Sequence, residues 1–117
     1  MHICLMHSKE LIKGTLRTIV LRLLTERDRM YGYELIQRVR ELSDEQLLLT
    51  EGALYPTLHK LVSEGLLTTE KEKVNGRTRK YYRLTPSGSS QAVIKVAEFE
   101  RFVALMGRLL YPQTKTT

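Results

Sequence analysis

Between Thr50 and Gly65 the chain writes both ends of one helix into its own sequence. Thr50 is placed to cap an N-terminus, Glu51 puts a carboxylate where a first turn has spare N–H groups, and Gly65 suits the left-handed residue that ends a helix. Leu54, Leu58 and Leu61, with Val62 at the margin, recur at helical spacing and predict one buried face. The other side carries Gly52, Tyr55, Pro56, His59, Lys60 and Ser63. A solvated face is normally rich in Glu and Lys. This one offers a phenol, an imidazole, one ammonium and small residues that permit close approach, which suits contact with something flat and polar. Pro56 lies too deep for a first-turn proline and predicts a lost backbone hydrogen bond and a bent helix start.

The rest of the chain must supply a core for that helix. Its 117 residues suffice for one sizeable core, so a single domain with a projecting element is expected. A formal net charge of +6 and a pI of about 9.6 favour an anionic partner. One cysteine, Cys4, excludes an internal disulfide framework and fits a reducing, cytoplasmic setting. The opening Met1-His2-Ile3-Cys4-Leu5-Met6 has neither a basic n-region nor a long apolar run, so neither a signal peptide nor a membrane span is expected. Residues 1–8 read as a flexible tail, and either Met1 or Met6 could be the natural start. His2, Cys4 and His7 lack a fourth ligand nearby, so no metal site and no cofactor are expected.

From Ser8 or Lys9 to about Arg27 the pattern is helical, with Leu11, Ile12, Leu16, Ile19, Val20, Leu23 and Leu24 on a wide apolar face. Such a face fits either a central core helix or one that also packs on a partner. After the polar Glu26-Arg27-Asp28-Arg29, a second helix is predicted from Met30 to Leu42, with Leu35, Ile36, Val39 and Leu42 inward. Gly32 allows close approach there, and Tyr31 or Tyr33 is either a phosphate donor or a packing tyrosine. Leu47-Leu48-Leu49 is expected to pair as a short strand.

Beyond Gly65 the period changes to two. Leu66–Glu72 and Arg77–Leu84 predict two strands joined near Val74-Asn75-Gly76, and Asn-Gly is a strong hairpin signal. Alternation puts Arg77, Arg79, Tyr81 and Arg83 on one face of the second strand, with Thr78, Lys80, Tyr82 and Leu84 on the other. Lys71, Lys73, Arg77, Arg79 and Lys80 make this hairpin basic, in the manner of a wing that lies along a phosphate backbone. A charged hairpin can also be no more than a protected sheet edge.

Thr85-Pro86 then restarts a helix as cap and first residue. Along it Ala92, Val96, Phe99, Val103, Met106 and Leu110 repeat at alternating steps of four and three, with Phe102 and Leu109 widening the stripe. A stripe this regular, after the core is already supplied, fits packing against the same helix of a second subunit; the other reading is a fold back onto its own domain. Pro112 and the polar residues that follow end it, so residues 112–117 read as a second flexible tail.

The fold class is therefore mainly α with a small β-hairpin: a winged helix-turn-helix over residues 9–84, then a long C-terminal dimerisation helix over residues 85–111. Three separated motifs carry a family resemblance. They are Tyr31-Gly32-Tyr33-Glu34-Leu35; Glu51-Gly52-x-Leu54-Tyr55-Pro56-x-Leu58-x-x-Leu61-x-x-x-Gly65; and Arg77-x-Arg79-Lys80-Tyr81-Tyr82-x-Leu84-Thr85-x-x-Gly88. Together they resemble the phenolic acid decarboxylase regulator (PadR) family, in its short form. The resemblance implies a dimeric transcriptional regulator, usually a repressor, on a palindromic double-stranded DNA operator. In that family the helix matching Thr50 to Gly65 enters the major groove, the tyrosine matching Tyr33 lies near the backbone, and the wing straddles phosphates.

The DNA-binding residues expected here are thus Tyr33, Gly52, Ala53, Tyr55, Pro56, His59, Lys60, Lys71, Lys73, Arg77, Arg79 and Lys80. Ala53 stands where relatives often carry Ser or Thr. The expected homodimer joins Leu11, Leu16 and Ile19 of the first helix with Ala92, Val96, Phe99, Val103, Met106 and Leu110 of the last. Some family members bind flat aromatic effectors near the dimer helix; Val96, Phe99 and Phe102 would be the side chains involved. No catalytic spacing and no glycine-rich phosphate loop accompany His59, so an enzyme is not expected. The rival reading is a winged helix used only for protein contact.

Overall fold

In the computed structural model, which describes residues 9–112, seven elements follow one another: α1 (Lys9–Leu23), β1 (Met30–Tyr31), α2 (Gly32–Leu42), α3 (Glu51–Ser63), β2 (Leu67–Val74), β3 (Arg77–Leu84) and α4 (Pro86–Leu110). His2, Cys4 and His7, the Met1 and Met6 starts, and the two predicted tails, apart from Pro112, lie outside the described residues. The strands form one antiparallel sheet in the order β1-β3-β2.

One apolar core unites these elements. Leu16, Val20, Leu21 and Leu23 of α1 meet Leu35 and Val39 of α2 and Leu54, Leu58 and Leu61 of α3, closed by Met30, Leu67 and Tyr82 of the sheet and Ala92 of α4. The leucines of α3 repeat every three or four residues, so all fall on the side that the domain covers.

Both ends of α3 are finished locally. The Thr50 hydroxyl accepts a hydrogen bond from Ala53 N at 3.2 Å. At the other end Gly65 adopts φ +79°, and Leu66 N donates to Leu61 O and Gly65 N to Val62 O, each at 3.0 Å. This is the paired 6→1 and 5→2 closure that favours glycine at its left-handed position. Helix α2 ends the same way, Glu45 N donating to Arg40 O at 2.8 Å and Asp44 N to Glu41 O at 3.2 Å. There the left-handed residue is Asp44, at φ 58°, followed by Glu45 at φ 63°.

Three expectations are corrected. Leu47-Leu48-Leu49 does not form a strand: after the left-handed pair, Leu47 N is held by the Ser43 hydroxyl at 3.0 Å and Leu49 drops into the core. The third strand is instead Met30–Tyr31, paired with Tyr82 and Tyr81 of β3, so α2 starts at Gly32 rather than Met30. Glu34 supplies its cap, the carboxylate accepting from Tyr31 N at 3.0 Å. Helix α1 also stops earlier than Arg27, at Leu23, where the Thr25 hydroxyl donates to Arg22 O at 2.6 Å.

The hairpin turns on Asn75 and Gly76 alone, both left-handed, with Val74 opposite Arg77. Helix α4 is anchored at its first turn. Thr85 N donates to Leu66 O at 3.0 Å, the Thr85 hydroxyl donates to Gly65 O at 2.7 Å, and the same hydroxyl accepts from Gly88 N at 3.0 Å. A β-carbon on Gly88 would lie 3.0 Å from the Leu66 carbonyl carbon and collide with its oxygen. Only a glycine lets the helix start there.

Candidate nucleic-acid interface

The uncovered stripe of α3 comprises Gly52, Ala53, Pro56, His59, Lys60 and Ser63, all exposed. Pro56 lies inside the helix and leaves the Gly52 carbonyl without its intrahelical donor. Tyr33, at the start of α2, is 56% exposed.

Tyr55 sits differently from its expected place on the outer face. It is half-buried and packs against the core, and a β-carbon on Gly32 would stand 2.7 Å from its Cζ and closer still to its hydroxyl. The ring therefore wedges α3 against the first turn of α2. The neighbouring Tyr82 phenol has its pKa pushed up, chiefly by burial and then by Tyr55.

The register gives the sheet two unlike faces. Met30, Leu67, Thr69 and Tyr82 occupy the core side, and past the edge of the core that face continues as Lys71 opposite Lys80 and Lys73 opposite Thr78. On the outer side, the Arg29 guanidinium lies 3.8 Å from the Tyr81 ring centroid and Arg79 lies 4.4 Å from that of Tyr31. The two rings meet edge to face at 5.4 Å. Arg29 also pairs with Glu70 at 3.1 Å and Glu72 at 3.0 Å. Arg83 pairs with Glu70 at 2.5 Å and with Asp28. Hydrogen bonding from Arg83, then from Arg29, holds the Glu70 carboxyl below the ordinary range. Among the described residues, Lys60, Lys71, Lys73, Arg77 and Lys80 have no carboxylate within ion-pair reach.

Sequence reasoning weighs Tyr31 as a phosphate donor or a packing tyrosine but does not bring it together with Arg29, Glu70 and Glu72. Their meeting depends on β1, a two-residue strand with no periodicity of its own.

The α4 stripe divides. Ala92, at 1% exposure, and Leu16, at 3%, are taken up by the subunit's own core, so, against the expectation, they offer little surface to a second copy. Ile19, Val96 and Met106 are half-buried. Leu11, Phe99, Phe102, Val103, Leu109 and Leu110 stand in solvent. An open groove of about 410 Å³ between the end of α1 and α4 is lined by Arg22, Thr25, Ala92, Val93, Val96, Ala97 and Glu100. Val96 reaches it; Phe99 and Phe102 do not line it.

Residues 20–93 match the transcriptional regulator PadR-like family. The chain belongs to that family. PadR-like proteins are transcriptional regulators, so this chain is a regulator and not an enzyme. It resembles a transcriptional regulator from Clostridium thermocellum at TM-score 0.79 and 29% identity, covering 92% of this chain and 99% of that one. A PadR family transcriptional regulator from Eggerthella lenta is similar at TM-score 0.74 and 34% identity, over 89% and 88%. The transcriptional regulator Rv3488 of Mycobacterium tuberculosis is 49% identical over 49 residues, 42% of this chain. That alignment spans only 46% of the mycobacterial protein. The PadR fold accounts for the sheet, the exposed α3 and the projecting α4 together. No helix among the described residues is long and apolar enough to cross a membrane, and none of their His, Cys, Asp and Glu side chains cluster as metal ligands.

Proposed function

We propose that the protein is a homodimeric repressor that binds a palindromic operator in double-stranded DNA. The observation carrying this reading is the pairing of two unsatisfied surfaces. One is the uncovered α3 stripe with the unpaired cations Lys60, Lys71, Lys73, Arg77 and Lys80. The other is the apolar stripe of Phe99, Phe102, Val103, Leu109 and Leu110 left in water on α4. An apolar row of that extent asks for a partner surface, and a second copy of α4 with Leu11 and Ile19 of α1 supplies one of the right period. Twofold symmetry then sets two α3 helices on successive major-groove faces, on the order of 34 Å apart.

Within each half-site, the wing cations neutralise phosphate and supply most of the affinity. His59, Lys60 and Pro56 meet base edges, Gly52 and Ala53 allow close approach, and Tyr33 meets the backbone. Tyr55 contributes chiefly by holding α3 in place. Occupancy of the operator excludes polymerase. A small aromatic effector seated near Val96, with Phe99 and Phe102 at its edge, would release DNA by changing the angle between the subunits, which needs a bias of only a few kcal/mol.

Selection of bound fragments from the host's genomic DNA tests this reading. A twofold-symmetric site is expected, with affinity falling steeply as salt rises. A protein that binds no duplex at low salt, or binds with no salt dependence, would instead be a winged helix serving protein contact.

A further inference from the structure

Cations on the two faces of the wing have different partners: among the described residues Lys71 and Lys73 have none, and Lys80 has only the Tyr82 ring at 5.8 Å, whereas Arg79 and Arg29 stack closely on Tyr31 and Tyr81. Resting on the DNA-binding reading above, we infer that Lys71, Lys73 and Lys80 grip phosphate, whereas Arg79 and Arg29 touch no phosphate and are positioning residues that hold the hairpin against β1.

Lys71 and Lys80 are direct cross-strand partners. Two ammonium groups facing each other across a ladder destabilise a hairpin; no carboxylate among the described residues relieves them, and the Tyr82 ring, 5.8 Å from the Lys80 ammonium, is a weak substitute. They share their face with Met30, Leu67 and Tyr82, the side of the sheet on which α2 and α3 pack, so the lysines lie on the same side of the sheet as α3. An anion between them and a duplex lying on α3 would relieve the repulsion.

On the opposite face Arg29 and Arg79 are already engaged, while Arg77 at the tip has no such partner among the described residues. Arg79 is directly opposite Glu72 and stacks on Tyr31; Tyr31 meets Tyr81 edge-on; Tyr81 lies under Arg29; and Arg29 returns to Glu70 and Glu72. This run of contacts joins β1, and through it the first turn of α2, to the hairpin. Swinging Arg79 out to a phosphate would forfeit its stack. Holding the hairpin in register with α2 keeps the lysine face at its set distance from α3.

The test is fluorescence anisotropy on a labelled random-sequence duplex of about 30 base pairs across a KCl series, where each lost phosphate contact reduces the slope of log K against log salt by about 0.9. Lys71→Ala, Lys73→Ala and Lys80→Ala should each flatten the slope. Arg79→Ala should weaken binding about threefold to tenfold with the slope unchanged, reflecting loss of the stack. Arg79→Lys, which keeps the charge, should do no better than Arg79→Ala, and Tyr31→Leu should match both. In the DNA-free protein, hydrogen exchange across residues 70–81 should quicken in Arg79→Ala and Tyr31→Leu but not in Lys80→Ala. A slope flattened by Arg79→Ala as much as by Lys80→Ala, or full recovery with Arg79→Lys, would overturn the division of labour while leaving DNA binding intact. Absence of duplex binding by the unaltered protein would overturn both.

Discussion

The phenol of Tyr55 on α3 occupies the space that a side chain on Gly32 of α2 would need, and the two helices cross at that contact. The ring is half-buried against the core, so making room for a methyl group would lift part of it off that core. Gly32→Ala is expected to cost about 1–3 kcal/mol, the range for overpacking a well-filled site. In a Tyr55→Leu background the same change should cost much less. Urea denaturation of the four proteins of that cycle measures the coupling, and additive effects would refute the contact as its source.

Two helix ends with the same hydrogen bonds but different residues make a matched experiment. Gly65 terminates α3 and Asp44 terminates α2, both left-handed. Asp44→Gly should stabilise the protein by about 0.5–1 kcal/mol, while Gly65→Ala should destabilise it by at least about 1 kcal/mol. Denaturant midpoints at constant m-value read both signs.

Val103 is 51% exposed in the subunit, so a charge there leaves the subunit's own core intact. Placed in a dimer seam it would be buried without a partner, at a cost of about 3–5 kcal/mol. Sedimentation at micromolar concentration should therefore show Val103→Glu as a folded monomer and the unaltered protein as the proposed dimer. A dimer unmoved by the substitution would take α4 out of the interface.

Acid should loosen the sheet before it unfolds the core. Arg83 first, and then Arg29, hold the Glu70 carboxyl below its ordinary value. A depressed carboxylate contributes stability that is present above its unfolded pKa of about 4.3 and lost as pH falls through the lower folded value. The stability difference between the unaltered protein and Glu70→Gln should be constant above about pH 5 and shrink below about pH 4. Thermal midpoints across that range test it; a difference that persists at low pH would show Glu70 acting through packing alone.

Much of this arrangement could be read before any coordinates. Thr50, Gly65, Thr85 and the Asn75-Gly76 pair carry their meaning locally, since each satisfies or terminates backbone within a few residues, and the helices and hairpin fall close to where those residues put them. What stayed hidden depends on partners distant in the chain. Met30–Tyr31 is too short for any pattern and exists because β3 offers an edge. Leu16 and Ala92 carry the same apolar signal as Phe99 or Val103, and periodicity alone cannot tell a residue covered by its own domain from one awaiting another. Arg79 and Lys80 look equivalent in a basic run; Tyr31 and Glu72 on the other strands distinguish them.

Thr85 ties the departure of α4 to the carbonyls of Gly65 and Leu66, the two residues whose N–H groups close α3, and Gly88 removes any side chain that could cushion the joint. From that fulcrum α4 extends over 25 residues, an arm of about 37 Å at the usual helical rise. Under the DNA-binding reading proposed above, a displacement of its far tip would be passed to the end of α3 through the two Thr85 hydrogen bonds, with no hinge loop at that joint to absorb it.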